Sequence, residues 1–387
     1  MVKAIKVMLI PNNVQETKMF EYAGASRFAY NWALAREKEN YEKGGRFISD
    51  SELRKEFTKL RHSDEYAWLL NISNNVTKQA IKDACNAYKN FFKGLKKIPR
   101  FKSRKRSMPK FYQDNVKIQF SNTHVKLEGF SSSRKANKQK LNWVRLAEHG
   151  RISTDAKYMN PRISFDGLNW WISVCVEFPD CKEILNDDGV GIDLGIKDLA
   201  VCSDAVKYKN INKSQKVKKL EKQKRRLQRS ISRSYEKNKK GESYCKTNNV
   251  IKKEKLLLKR NHRLTNIRKN YLNQTISEIV NRKPRFICIE DLNVSGMMKN
   301  RHLSKVVQEQ GFFLFRKQLE YKCSDKEIQL IVADRFYPSS KLCSCCGKIK
   351  EDLKLSDRIY RCECGNIIDR DFQASINLKA YGERFAS

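Results

Sequence analysis

Four cysteines near the C-terminus impose a closure on the chain before any helix or strand is assigned. Cys343 and Cys346 form a CxxC pair followed by Gly347, and Cys362 and Cys364 form a tighter CxC pair followed by Gly365. About 15 residues lie between the pairs. Four thiolates on two glycine-terminated knuckles make the donor set of a structural zinc ribbon, with every position filled and none left open for catalysis. Cys345 is a surplus thiol that can stand in for a neighbour. Seven of the 12 cysteines lie singly along the chain. That usage suits a reducing, cytoplasmic setting and not a disulfide framework.

A second stretch, VGIDLGIKDLA at residues 190–200, alternates Val190, Ile192, Leu194 and Ile196 with Gly191, Asp193 and Gly195. The period is that of a strand with one apolar face, so Asp193 points to the other face. The flanking glycines predict room there for a large group, such as a metal ion with a phosphate. Residues 199–202 read as a hairpin partner. Downstream, RFICIEDLNV (residues 285–294) holds a short buried strand ending at Glu290, and Asp291 follows at once, so either carboxylate is a candidate ligand. Near the end, Asp369-Arg370-Asp371 opens a helix whose Ala374, Ser375 and Leu378 share the face of Asp371. An acid in a first turn is by itself only a helix N-terminal charge. Strand–Asp, strand–Glu and Asp–helix in this order, however, is the arrangement of an RNase H-like nuclease core. Such a core holds two divalent ions roughly 4 Å apart to activate water and stabilise the leaving oxygen. Mg²⁺ suits it, because it prefers oxygen ligands and keeps several waters. No Ser–His–Asp or Cys–His arrangement competes, and His62, His124, His149, His262 and His302 fall in no ligand spacing.

Charge names the partner class. Lys and Arg number 80 against 43 Asp and Glu, a formal net charge of +37 over 387 residues. That excess implies a polyanion, nucleic acid above all. No stretch is long and apolar enough to span a membrane, and Lys3 and Lys6 interrupt the first apolar run, which predicts no secretory leader. In chain order, residues 3–10 read as a strand ended by Pro11. Residues 15–42 read as a helix with Ala25, Phe28, Trp32 and Ala35 inward. Ser49 and Glu52 form a capping box before Leu53, Phe57 and Leu60. A third helix over residues 75–92 buries Ile81, Ala84, Tyr88 and Phe91, and turns Lys78, Gln79 and Lys82 outward, either as long polar side chains that reach base edges or as an ordinary solvated face. The basic loop PRFKSRKRSMPK (residues 99–110) offers Lys102 and Arg104 to phosphates and Phe101 for stacking on a base. From residue 115 the period becomes two: strands carry Val116, Ile118 and Phe120, then Val125 and Leu127. Ile163 and Phe165 lead into the hairpin signal Asp166-Gly167, and Trp170 to Phe178 alternate. These strands predict a small antiparallel barrel interrupted by the three helices. Beyond residue 204, Val217, Leu220, Lys224, Leu227 and Ile231, then Leu257, Leu264, Ile267 and Tyr271, predict a long helical hairpin. Lys222, Arg225, Arg226 and Arg229 on its outer face form a rail for a nucleic-acid backbone.

GIDLGIKDLA, ICIEDLN, and then CxxCG and CxCG running into DRDFQASINL together resemble the TnpB family, transposon-encoded RNA-guided DNA endonucleases related to compact type V CRISPR effectors. The resemblance extends over essentially the whole chain. It implies an α+β multidomain fold: an RNase H-like (RuvC) nuclease core with an inserted zinc ribbon, and an N-terminal wedge β-barrel interrupted by a helical recognition lobe. The implied segments are 1–12 and 113–184 for the barrel and 13–112 for the recognition lobe. The nuclease core takes 185–338, the ribbon 339–367 and the last core helix 368–387. By resemblance, Asp193, Glu290 and Asp371 match the catalytic triad and would hold two Mg²⁺. Asp371 is chosen over Asp369 because it directly precedes Phe372-Gln373-Ala374-Ser375, although Gln373 departs from the family's usual Asn. The CxC knuckle is likewise shorter than the commoner CxxC. The implied partners are one guide RNA, bound by a single copy of the chain, and a double-stranded DNA target recognised through a short adjacent motif. The alternatives are a nuclease-inactive RNA-guided repressor, a miniature CRISPR effector of the same chemistry, and a transposase acting alone. The last lacks a tyrosine-and-paired-histidine nicking site.

Overall fold

A computed structural model describes residues 2–130, 141–179, 183–354 and 356–386. Parts of the expected barrel segment, residues 131–140 and 180–182, lie outside them. The chain divides into two compact units, Met1–Asp180 and Cys181–Ser387.

The first unit is a sheet wrapped around helices. Its elements are β1 (Val2–Ile10), α1 (Asn13–Glu42), α2 (Asp50–Arg61), a 3₁₀ turn (Asp64–Asn71) and α3 (Asn74–Phe92). Six strands follow: β2 (Lys110–Tyr112), β3 (Gln119–Phe120), β4 (His124–Lys126), β5 (Trp143–Leu146), β6 (Tyr158–Phe165) and β7 (Trp170–Glu177). The strand order is β2-β6-β7-β1-β5-β4-β3, antiparallel throughout. The capping boxes Asn12–Gln15 and Ser49–Glu52 start α1 and α2, as the side chains there dictate. Gln15 also donates to Leu141 O and Trp143 O at 2.9 Å, tying the first turn of α1 to β5. Trp170, Ile172, Val174 and Val176 alternate inward, and the turn at Gly167 takes a left-handed φ of 96°. One hydrophobic core runs through sheet and helices alike, joining Val7, Phe111, Val144 and Ile172 to Leu34, Phe57 and Ile81. The segments expected as recognition lobe and barrel are therefore one packed body, and β2 falls within the stretch expected to be helical.

Three details depart from the periodic reading. Val116 is 88% exposed in a turn, not in a strand, because Asp114 Oδ1 accepts the amides of Val116 and Lys117 at 2.9 and 3.2 Å. That Asx turn takes amides a strand would need. Ala35 is exposed while Ala33 and Leu34 are buried, since α1 packs on both the sheet and α3 and its apolar stripe widens. One end of the sheet is tied back toward the other through a side chain: Gln113 Oε1, just past the edge strand β2, accepts the Glu128 amide, just past the next-to-last strand β4, at 2.8 Å. The sheet thus curls without a closing ladder among the described residues.

The second unit begins with an antiparallel meander, β8 (Val190–Leu194), β9 (Asp198–Cys202) and β10 (Lys207–Lys209). The helical hairpin follows: α4 (Gln215–Lys237), a small ribbon of β11 (Lys239–Lys240) and β12 (Ser243–Tyr244), and α5 (Asn248–Asn281). Next come β13 (Phe286–Glu290), α6 (Val294–Lys299), α7 (Ser304–Gln310), α8 (Phe312–Asp325) and β14 (Gln329–Ala333). The cysteine-bearing segment contains β15 (Ile359–Arg361) and β16 (Ile367–Asp369), and α9 (Arg370–Glu383) closes the chain. The sheet order is β10-β9-β8-β13-β14, with β13 parallel to both its neighbours. One face, with Ile192, Leu194, Ile287 and Ile289, packs on Leu272 and Ile276 of α5 and Phe315 and Leu319 of α8. The other, with Phe286, Cys288, Ile331 and Ala333, receives α9 through Leu378. Among the described residues no helix is long and apolar enough to cross a membrane.

The first unit buries one carboxyl without neutralising it. Glu37 is 3% exposed, its Oε2 accepts only the Ile48 amide at 3.4 Å, and Oε1 has no partner. Burial pushes it up to about 7. A carboxyl raised in the folded state stabilises below its unfolded pKa, and that advantage is lost as pH rises through the folded value. Glu37→Gln is therefore expected to stabilise the protein at pH 8 by on the order of 3 kcal/mol, a gap that closes toward pH 4.5. Urea unfolding at the two pH values measures it.

Candidate active site

The β8–β13 register brings the first two acids together. Val190, Gly191 and Ile192 lie opposite Ile287, Cys288 and Ile289, and the next step sets Asp193 beside Glu290. Paired residues of parallel strands share a face, and neighbouring strands lie about 4.8 Å apart. Ile192 and Leu194 go to the α5/α8 side, so Asp193 and Glu290 go to the α9 side.

The third acid arrives by helix packing. A Cβ placed on Gly191 would lie 2.0 Å from Ser375 O and 2.3 Å from Lys379 N. The space beside Gly191 is thus filled by the backbone of α9, which corrects the expectation that it admits a ligand. Gly195 has a different use again: its missing Cβ would lie 3.2 Å from Asp198 O in the β8–β9 turn. From Gly191 to Asp193 the strand advances about 6.6 Å, and from Ser375 back to Asp371 the helix retreats about 6 Å. The two steps match, so the register that puts Ser375 over Gly191 puts Asp371 near Asp193.

Electrostatics follow from this crowding. Burial first, then Glu290 and Asp371, hold Asp193 well above the usual carboxylate range. Glu290 is raised by burial and by Asp371, against the hydrogen bond from Ser339 Oγ to its Oε1. Asp371 accepts from Arg370 Nε and Nη2 at 3.3 and 3.2 Å and lies 3.9 Å from Arg358 Nη1. The two acids left ambiguous by sequence have other employment. Asp291 pairs with Arg316 at 2.7 Å and Arg335 at 2.5 Å, and these guanidinium groups hold it below the usual range. Asp369 caps α9, accepting the amides of Asp371 and Phe372 at 3.1 Å, and pairs with Lys207 at 3.2 Å. Burial opposes its charge, but the Phe372 amide and Lys207 keep it low. Asp193 and Glu290 have no such cation pairing among the described residues. Clustered oxygen donors, two of them without a cation of their own and the third, Asp371, held by Arg370, fit hard divalent ions such as Mg²⁺.

The cysteine centre stands at the base of α9. The Sγ atoms of Cys343, Cys346, Cys362 and Cys364 all lie within 4.8 Å of one another, the only such His/Cys/Asp/Glu group among the described residues. Cys345 is exposed and outside it. Asn366 Nδ2 lies 3.4 Å from Cys343 Sγ and donates to Gln373 Oε1 at 2.9 Å. Gln373, fully buried, donates to Leu342 O at 2.9 Å. Asn377 reaches the same carbonyl at 2.8 Å and Ser339 O at 2.7 Å. Ser339, Asn366 and Asn377 were invisible to pattern reading. Their one signal is polar residues at buried helix positions, in the turn before the first knuckle and directly after the second.

Comparison with known proteins decides the family. Family models match residues 1–46 ("Helix-turn-helix domain"), 173–301 ("Probable transposase", OrfB of IS605) and 312–378 ("Cas12f1-like, TNB domain"). A relative from Escherichia coli K12, "Putative RNA-guided DNA endonuclease InsQ", is 30% identical over 98% of this chain and 92% of its own. The chain belongs to the TnpB family. Another relative, from Streptomyces pristinaespiralis and named "Putative RNA-guided DNA endonuclease", is 28% identical over 98% of this chain and 89% of its own. The fold is like that of Cas12f1 in a cryo-EM complex with sgRNA and target DNA, with a TM-score of 0.60, 12% identity and 98% of each chain covered.

The nucleic-acid candidates of this TnpB chain divide in two. Lys78 and Lys82 are exposed on α3, but Gln79 is half-buried and bonded to Asp83 at 2.9 Å. Phe101 and Arg104 are exposed, and Arg104 stands with Arg106 and Arg27 around a cavity of about 740 Å³. Lys102 is withdrawn: its ammonium lies 3.0 Å from the Tyr30 ring centroid, its backbone pairs with Asn31, and burial pushes it down to about 8. Gln79 and Lys102 are thus each engaged by a neighbour within the protein. Arg225 and Arg226 are exposed around a concavity of about 640 Å³ shared with Lys222, Arg229 and Arg268.

Two outcomes are expected. Gly191→Ala forces the α9 backbone off β8 and destabilises the protein by about 3 kcal/mol, with Gly195→Ala milder, as read by thermal unfolding. Cys362→Ser loses the bound metal, measured by elemental analysis, and opens residues 339–367 to protease, because such a segment folds only around its ion.

Proposed function

We propose that this TnpB-family chain is an RNA-guided DNA endonuclease that hydrolyses phosphodiesters at Asp193, Glu290 and Asp371. The observation that carries the reading is the placement of three acids from β8, β13 and α9 on one sheet face, with Asp291 engaged by Arg316 and Arg335 and Asp369 by the cap of α9 and Lys207. The mixed sheet, antiparallel through β8–β10 and parallel through β8-β13-β14, supports an RNase H-like (RuvC) core. Mg²⁺ held by Asp193, Glu290 and Asp371 would activate water for attack on the phosphodiester and stabilise charge on the leaving oxygen. Asp193 and Glu290 hold that position from rigid strands, and Asp371 from the first turn of α9. Arg370 fixes Asp371 Oδ1. The four thiolates hold zinc as a structural ion, since all ligand positions are protein.

The partners are a guide RNA and double-stranded DNA. The net charge of +37 supplies phosphate neutralisation, and the exposed Lys78, Lys82, Arg104, Arg225 and Arg226 contribute to it. Phe101, 57% exposed within the basic loop, is the stacking candidate. Base pairing reads the target, while the protein reads backbone and a short duplex motif, the division of labour known for RNA-guided effectors.

The test is cleavage of a plasmid carrying the guide-matched target by the protein with its co-purified RNA and Mg²⁺. Asp193→Ala is expected to reduce cleavage to background and leave target binding intact. Cutting by that variant at the wild-type rate would refute the site.

A further inference from the structure

Glu290 ends a strand, and a carboxylate there has no intrinsic reason to present one oxygen over the other. The terminal torsion of Glu is broad and roughly two-fold, so either Oε faces the site unless something breaks the symmetry. The structure contains a group suited to doing so. Ser339 lies in the turn after β14 and is 3% exposed, and its hydroxyl donates to Glu290 Oε1. No solvent competes for that donor.

The hydroxyl is itself held from behind. Asn377, on the buried face of α9, donates to Ser339 O at 2.7 Å and to Leu342 O at 2.8 Å. Gln373, one turn earlier, donates to the same Leu342 carbonyl at 2.9 Å. The Ser339 amide donates to Tyr337 O at 2.8 Å, and the amides of Lys341 and Leu342 donate to Pro338 O at 3.0 and 2.9 Å. The turn from 337 to 342 is thus closed on itself and bolted to the helix that carries Asp371. Asn366 extends the bonding from Gln373 to Cys343 Sγ.

We infer that Ser339 is a positioning residue for Glu290: its hydroxyl occupies Oε1 and leaves Oε2 for the divalent ion. The inference rests on the reading of Glu290 as a metal-holding acid. It goes beyond that reading in assigning the carboxylate's orientation to the turn that leads into the cysteine centre. Groups that orient a metal-holding side chain typically alter metal affinity or activity about 10–100-fold when removed.

The test uses the full chain with its co-purified RNA. Mn²⁺ binding is titrated by electron paramagnetic resonance, with Asp193→Ala as the background for ions held by RNA, and cleavage is followed against Mg²⁺ concentration. Ser339→Ala is expected to weaken site-specific Mn²⁺ binding about 10–100-fold and to raise the Mg²⁺ needed for half-maximal cleavage by a similar factor. Ser339→Thr restores both, because it keeps the hydroxyl. Melting temperature and cysteine-centre metal content stay at wild-type values. If Ser339→Ala does not fold, the isosteric pair Ser339→Thr and Ser339→Val decides the question in the same way. Wild-type Mn²⁺ affinity in Ser339→Ala, or a Thr variant as weak as Ala, overturns the inference. With Asp193→Ala inactive, that result removes the role of Ser339 alone; an active Asp193→Ala removes the site itself.

Discussion

Contact between the backbone of α9 and the bare Cα of Gly191 is the constraint on which the site depends. Two parallel strands bring two carboxylates side by side by register alone. A third, from much later in the chain, joins them only if a helix lies flat on that face. A side chain at 191 would meet Ser375 O and Lys379 N. Gly382 plays the same part at the far end of the helix, where a Cβ would lie 2.4 Å from the Phe286 ring and 3.0 Å from Cys288 Cβ. With both ends seated, the first turn of α9 has one place to go. The acid there becomes part of a cluster instead of a solvated helix N-terminal charge.

That cluster repels itself by construction. Asp193 is raised by burial and then by Glu290 and Asp371, and Glu290 by burial and then by Asp371, whereas arginines lower Asp291 and the Phe372 amide and Lys207 lower Asp369. The asymmetry leaves two crowded, buried carboxyls without a cation of their own in a chain that is otherwise strongly basic. Divalent ions held at the proposed site would resolve the repulsion by reversing the sign of the local field. The basic surface meanwhile draws in the polyanion that such ions act upon.

Much of this was legible in the residues. Alternation at 190–194 and 170–176 named strands and their inward faces, the Ser49–Glu52 box started α2 where expected, and the cysteine spacing named the metal centre. The failures share a cause. Val116 was read as strand until the Asp114 side chain took its amide. Lys102 and Gln79 were read as free polar groups, but Tyr30 and Asp83 had engaged them. Glycine at 191 signalled close approach correctly and its visitor wrongly. In each case a neighbour distant in sequence, or a local side chain competing with the ladder, chose the outcome.

By itself, the sequence determined which segments are helix or strand, which face of each is apolar, that four thiolates converge and that the partner is a polyanion. It determined that Asp193 faces away from the apolar core. The tertiary structure alone decided what lies on that other side: α9 over Gly191, Asp291 drawn to Arg316 and Arg335, Asp369 held at the cap of α9, and Ser339 behind Glu290. The physical reason is that periodicity encodes the direction of a side chain relative to its own element. The occupant of the space it points into comes from packing between elements, which no single stretch of chain contains.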